Sequence, residues 1–392
     1  MQAIKSLNLS PKPKKKSFFR THKFLSVAAV IFAIVLLLVW TTSTSKTAFN
    51  YVFGNVSSLQ MENGRVNVLL MGIGGTNHEG PNLTDTIIVA SYNFDTKKAD
   101  LISLPRDLWL EEYDAKINTL YTYGLQKGDA LKYTAEAIEK VVGMTIPYAV
   151  VVDFKGFIKA VDLVGGLDVQ VERSFDDYMY PIEGKENEMC GNKEEEQEID
   201  EAKSKELNIP QGKQKVYITP EGKTATDSAK LEYNCRYEHI SYKAGPTHMD
   251  GITALKFVRS RHALGPEGSD FARSKRQTLV IQAFRAQVLS LGTLTDLGKI
   301  KSLIDTFGQS IHTNIPQDKY LEFAKIARNQ EGVQSYVIGT ELKPPLLINP
   351  PSFKYGAWVL IPPNNDFRTI HNHVDNILSG KLEATPSATE KK

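Results

Sequence analysis

The chain is predicted to be an α/β sandwich around a mixed central sheet, preceded by one N-terminal transmembrane helix. Three observations carry this. A charge-free apolar run occupies residues 24–40. From residue 66 onward, short apolar strands alternate with amphipathic helical stretches, the pattern of layered α/β domains. Two of the strands are joined by a turn with hairpin chemistry, which makes the sheet mixed rather than purely parallel. The 392 residues suffice for an anchor plus one large domain, and 41% hydrophobic with 23% charged residues is the balance of a chain with a real core.

The N-terminus comes first. "PKPKKKSFFRTHK" is basic and holds no acid, and "FLSVAAVIFAIVLLLVW" follows it without a charge. That run is near the lower limit for crossing a bilayer. Lysines before it favour a cytoplasmic N-terminus and an outer C-terminus, and Trp40 suits the outer interface. A cleaved signal peptide is the rival, but "TTSTSKTAF" is a weak cleavage site. The expected division is a basic cytoplasmic tail (1–23), a membrane anchor (24–42), a stalk (43–65), a catalytic domain (66–380) and a disordered tail (381–392). Net charge is only +2, so composition does not point to nucleic acid. Cys190 and Cys235 are the two cysteines. Outside the membrane they either pair or stay as free thiols.

Along the domain, "VNVLLMG" reads as a buried strand ending in glycine. "TDTIIVASY" and "DLISL" are strands joined by the turn "NFDTKKAD". "ALKYTAEAIEKVVG" has helical spacing and a C-terminal glycine. "PYAVVVD" is a strand, "FKGFIKAVDLVGG" a helix stopped by two glycines, and "LDVQVE" a further strand. An acidic insertion at about residues 183–230 is expected to be a solvated, partly helical excursion. "MDGITALKFVRSR" is a helix capped by Asp250 that runs into an extended segment. "DFARSKRQTLVIQAFRAQVLSL" is a long helix with Ser269 or Asp270 as cap. "DKYLEFAKIAR" is another helix, "GAWVLIP" a strand, and a short helix ends the domain.

Four arginines crowd one region: Arg259, Arg261, Arg273 and Arg276. On the long helix, Arg273, Arg276 or Gln277, Val280, Phe284 and Val288 follow at three- and four-residue steps, so the arginines continue an apolar stripe that faces the core. A buried guanidinium needs an anion. That anion is either a protein carboxylate such as Asp270 or a bound phosphate, which suits arginine forks and helix N-termini. Arg259 and Arg261 would share a face of an extended segment. Two strand ends add to the picture. The glycine-rich "MGIGGTNHEGPNLTDT" lacks the ending of a nucleotide P-loop, but Asp85 within it is a candidate ligand for Mg²⁺ or Mn²⁺. "SLPRDLW" places Arg106 and Asp107 where α/β proteins build sites.

Taken in order, "NVLLMG", "LTDTIIVAS", "LISLPRDLW", "AKIN", "VDLVGGLDV", "MDGITALKFVRSR" and "SDFARSKRQ" resemble the LytR-CpsA-Psr (LCP) family of cell-envelope glycopolymer transferases. The resemblance covers roughly residues 66–288. It implies an α/β/α sandwich with a lipid tail lodged between sheet and helices. It implies transfer of a glycan with one phosphate from a polyprenyl-pyrophosphate-linked donor to a hydroxyl of peptidoglycan or another envelope glycan, on the outer face of the membrane. The implied pyrophosphate clamp is Arg106, Arg259, Arg261, Arg273 and Gln277, with Lys116 a weaker member; Arg276 joins it from the helix reading. Asp85 is the implied metal ligand, and Asp107 is a candidate proton acceptor. In one place the chain departs: many members carry G-S-D after the first strand, where this chain has "GIG" (72–74). Asn77, His78 or Glu79 are the residues that could take over the missing aspartate's role. A hydrolase of lipid-linked donors and a non-catalytic polyprenyl-phosphate binder are the alternative activities.

Overall fold

The apolar run after residue 64 forms β1 (Arg65–Ile73), and its alternation divides the interior in two. Val66 and Val68 enter one core, whereas Leu69, Met71 and Ile73 enter the other. A strand buried on both faces needs cover on both. The computed structural model describes residues 59–76, 78, 80–290 and 310–382. The predicted tail and anchor (1–42), the stalk up to residue 58, Asn77, Glu79 and the terminal tail from 383 lie outside the described residues. Among the described residues no helix is long and apolar enough to cross a membrane.

Chain order then runs β2 (Thr84–Asn93), β3 (Lys98–Ser103), the short β4 (Trp109–Leu110) and β5 (Ala115–Lys116), α1 (Leu120–Lys127), α2 (Ala130–Val142) and β6 (Tyr148–Asp153). Next come α3 (Phe154–Leu163), β7 (Leu167–Val171) and β8 (Phe175–Pro181). Asp129 and Asp153 cap α2 and α3 by accepting from the backbone of Lys132 and Gly156.

The insertion is more ordered than its composition suggests. It builds β9 (Lys193–Ile199), α4 (Glu201–Leu207), β10 (Gly212–Ile218) and β11 (Thr224–Ala225), with the strands in one small antiparallel sheet. Acidic β9 is an edge strand, and its charges guard that edge against pairing with another chain. Cys190 and Cys235 form a disulfide, with Cα atoms 5.5 Å apart, that closes the insertion's base.

After the insertion come β12 (Tyr237–Tyr242), β13 (Gly245–Met249), α5 (Gly251–Arg259), α6 (Asp270–Ser290), β14 (Ile311–Thr313), α7 (Tyr320–Asn329), β15 (Gly332–Val337) and α8 (Arg368–Leu378). The central sheet has the order β14-β6-β1-β2-β3-β15. Pairs β1–β6 and β3–β15 are parallel, and the β1–β2, β2–β3 and β14–β6 pairs are antiparallel. So β1, β3, β6 and β15 all point to one end. Helices α3, α5, α6 and α7 pack on one face. Helices α1, α2 and α8 pack on the other.

Three sequence expectations need correction. "LDVQVE" is a strand, but it pairs with β13 away from the central sheet. "GAWVLIP" is not a strand: Leu360 and Ile361 make only isolated bridges, to Leu108 and Ile348. The sheet's two outer strands, β14 and β15, were absent from the sequence reading. Each is short and flanked by turns, so neither offers a strand period long enough to read.

Two packing details set the frame for the site. Gly251 begins α5 where it meets α3, and a Cβ there would lie 2.3 Å from the Ile158 carbonyl oxygen, so only glycine lets these helices approach. Beneath the sheet, the buried guanidinium of Arg65 donates to Asp100 at 2.7 Å, to Ser91 and to the carbonyl of Leu378, joining β1, β2, β3 and the end of α8.

Candidate functional site

The site lies at the end toward which the four co-directed strands point, where open α/β sheets bind ligands. Asp85 sits at the start of β2, Arg106 and Asp107 follow β3, and the N-terminal turns of α6 come over the top. Ser269 caps α6 by accepting from the backbone of Ala272 at 3.1 Å, one of the two predicted caps. Ser274 is buried at 2.5 Å from Ser103 and pins the helix to the end of β3.

Arg106 donates to Asp85 Oδ1 at 2.5 Å, and its Nε stands 3.5 Å from Asp107 Oδ2. That second contact is an ion pair without hydrogen-bond geometry, so Nε is buried with no hydrogen-bond partner. Burial pushes the Arg106 pKa down, but Asp85 and Asp107 outweigh it and the net shift is upward. Lys116 Nζ meets Asp107 Oδ1 at 2.7 Å. Asp107 therefore contacts two cations and helps to orient both Arg106 and Lys116.

Arg273 is paired with Asp270 at 2.7 Å and is largely buried. Burial lowers its pKa, Asp270 offsets part of this, and Arg106 adds to the lowering. Arg261 is lowered to about 10, first by burial and then by Arg273 and Arg106. Arg106, Arg261, Arg273 and Lys116 thus share one poorly solvated neighbourhood with three carboxylates, Asp85, Asp107 and Asp270. Such an arrangement attracts an anion. Gln277 donates to Thr86 Oγ1 at 3.1 Å, one turn further along α6.

Arg259 and Arg261 do not share a strand face. Helix α5 continues through Arg259, so the two side chains diverge. Arg259 stacks over Phe154, its carbon centre 4.0 Å from the ring, and meets Tyr180 Oη and His78 Nε2 at 3.3 and 3.2 Å. Arg276 does not face the cleft. It is buried and donates to the carbonyls of Phe257, Ser260 and Glu267 and to the Glu267 carboxylate, which fixes the turn between α5 and α6.

Asp177 went unread in the sequence. It is fully buried and accepts from Ser260 Oγ and from the backbone of Arg261 and His262, so it aims Arg261. Its strand, β8, offered no signal, because Asp176 and Asp177 stand side by side in it and nothing in the sequence marks the second as buried.

Two hollows meet here. An apolar cavity of about 280 Å³ lies between the sheet and the helices of one face, lined by Val68, Ile88, Val152, Phe157, Val280 and Phe284 among others. A cleft of about 570 Å³ holds Asp85, Arg273 and Gln277. Thr86 and Gln277 line both, so their hydrogen bond marks the boundary.

The donor set for a divalent cation is thin. Among the described residues no group of three or more His, Cys, Asp or Glu side chains could hold one. A Cβ on Gly74 would lie 2.6 Å from His78, so the histidine occupies the space an aspartate there would need. His78 itself is turned toward Arg259. Asp85 remains, with Oδ1 on Arg106 and a second oxygen available; this fits Mg²⁺, which usually keeps waters and takes one or two carboxylates plus phosphate oxygens.

Crowding of cations yields an expected result. Below a pH of about 10, charged Arg261 costs the folded state stability, since a base with a depressed folded-state pKa is less favourably charged there than in the unfolded chain. Arg261→Met should raise the melting temperature of the ligand-free protein at neutral pH while weakening inorganic pyrophosphate binding by about tenfold or more. Calorimetric melts and titrations check both arms.

The LytR_cpsA_psr family matches residues 39–344. The polyisoprenyl-teichoic acid–peptidoglycan teichoic acid transferase TagU of Oceanobacillus iheyensis is 23% identical over 293 residues, 74% of this chain and 70% of that protein. Regulatory protein MsrR of Staphylococcus aureus is 24% identical over 258 residues, 64% of this chain, and the chain spans only 57% of its length. The crystal structure of gbs0355 from Streptococcus agalactiae superimposes with a TM-score of 0.50 at 20% identity, covering 84% of this chain and 92% of that one; at that identity the likeness establishes the mixed α/β fold. With more than half its length matched, the chain belongs to the LytR_cpsA_psr family.

Proposed function

We propose that the protein transfers a glycan bearing one phosphate from a polyprenyl-diphosphate donor to a hydroxyl of peptidoglycan or another envelope glycan. The observation that carries this is the junction at Thr86 and Gln277 of an apolar cavity with a cleft lined by Arg273, whose guanidinium has those of Arg106 and Arg261 as neighbours. A prenyl diphosphate has that same polarity profile. The transferase name carried by TagU points the same way.

In this reading the lipid lies against Val280 and Phe284, and the diphosphate meets Arg106, Arg261, Arg273 and Gln277. Arg259 stands at the mouth of the apolar cavity and faces the lipid-side phosphate. The acceptor hydroxyl attacks the sugar-side phosphorus in line, the bond to the bridging oxygen breaks, and lipid phosphate leaves, the hydroxyl's proton passing to Asp107 or to the departing phosphate. Charge on the equatorial and departing oxygens is met by the arginines, in a site where they are already oriented. Asp85 would hold Mg²⁺ or Mn²⁺, which would supply further neutralisation of phosphate charge. The basic tail and residues 24–42 would anchor the domain on the outer face of the cell membrane, where its lipid donor and wall acceptor meet.

A labelled lipid-diphosphate glycan, supplied with and without cell-wall acceptor, tests the reading. Phosphate-linked glycan should appear on the acceptor, with release far slower in its absence. Equal release with or without acceptor would make the protein a hydrolase. Tight binding without turnover under any divalent cation would make it a carrier.

A further inference from the structure

Part of the cleft's wall comes from residues beyond those the family matches: Ile348, Asn349, Trp358 and Leu360 line it together with Asp85, Arg273 and Gln277, whereas the family match ends at residue 344. This wall is clipped rigidly to the site. Leu360 N donates to the Asp107 carbonyl at 2.9 Å, and Trp109 N donates to the Leu360 carbonyl at 2.8 Å. Ile348 and Ile361 exchange backbone hydrogen bonds in both directions. Asn349 donates its side-chain amide to the Val359 carbonyl at 2.7 Å. Trp358 therefore stands two residues from a backbone bond to the neighbour of Arg106.

Its ring is half exposed, at 51%, although tryptophan is ordinarily well buried. Asn349 and Glu341, an amide and a carboxylate, line the same cleft. A carboxylate there disfavours a further phosphate and suits hydroxyl donors. A cleft that offers an aromatic side chain open to water, an amide and a carboxylate matches a pyranose ring, which offers an apolar C–H face and a rim of hydroxyls.

We infer that Trp358, with Asn349 and Glu341, forms a sugar-binding platform on the side of the diphosphate site opposite the lipid cavity. This rests on the transferase reading above, because the platform's place comes from the order lipid, diphosphate, sugar. The platform takes the pyranose next to the transferred phosphate, which belongs either to the donor's first sugar or to the attacking acceptor. Since Asn349 and Trp358 lie beyond the family match, which ends at residue 344, they are determinants of which glycan this chain accepts.

Three probes test it with full-length protein: geranyl diphosphate, geranyl-diphospho-N-acetylglucosamine, and a soluble peptidoglycan fragment as acceptor. Trp358→Ala should bind geranyl diphosphate like wild type and melt at the same temperature. It should lose about tenfold either in affinity for the sugar-bearing donor or in KM for the acceptor fragment. A loss in the first assigns the platform to the donor sugar, a loss in the second to the acceptor, and Trp358→Phe should recover most of either. Equal losses for sugar-free and sugar-bearing lipids, or no loss with any probe, overturn the inference. Failure of the underlying reading is separately visible: Arg273→Ala would then bind geranyl diphosphate as tightly as wild type.

Discussion

Replacing Arg273 by alanine is expected to lower the transfer rate by about 10³-fold or more, the usual effect of losing a guanidinium aimed at a phosphoryl transition state. Arg273 is the cation that α6 holds deepest in the cleft, and Gln277 follows it by one turn. The loss should fall mainly on kcat, because charge on the phosphoryl oxygens is greatest in the transition state. Folding should survive. The substitution removes one of several crowded cations and leaves Asp270, whose side chain is 46% exposed, to water. Arg273→Lys should recover only part of the rate, since an ammonium keeps the charge but loses the planar fork. Steady-state rates beside a thermal melt settle the matter, and wild-type turnover in Arg273→Ala would remove the clamp from the mechanism.

The largest stability effect is expected at Asp100, far from the chemistry. Asp100→Ala leaves the Arg65 guanidinium buried without its counter-ion, at a cost of about 3–5 kcal/mol. Ser91 and the Leu378 carbonyl still accept from it but carry no charge to balance it. Burial pushes the Asp100 carboxyl above its usual range in spite of Arg65, so desolvation outweighs the pair's attraction. Arg65→Met combined with Asp100→Leu should therefore recover most of the lost stability. Urea unfolding of the two single variants and the double variant measures this.

The six-stranded sheet was legible where the chain is most apolar. β1, β2, β3 and β6 are runs whose length and bounding turns leave little choice of structure. β14 and β15 were not legible, because three and six residues of mixed polarity owe their strand state to the neighbours they pair with. In the site, the stripe along α6 rightly turned Arg273 and Gln277 toward the interior. It could not separate Arg276 from them, since a one-residue step on a helix rotates a side chain by about 100° and only the surrounding turn shows where it ends. Arg259 and Arg261 were placed on one face because the segment was taken as extended. The helix in fact continues through Arg259, and the buried Asp177 then redirects the backbone at Arg261 and His262. The acidic insertion illustrates the opposite error: its charge masked a disulfide-closed sheet.

Helix α6 lines both the cleft and the apolar cavity on one unbroken rod, so on the proposed reading it would touch headgroup and tail alike. From Gln277 to Val288 it advances ~16 Å at 1.5 Å per residue, and both residues border the hydrocarbon compartment. That rod is a ruler. On the proposed reading isoprene units within its span would be gripped and further ones would gain no contact with it, so lengthening the carrier past that mark should leave its hold on the enzyme unchanged.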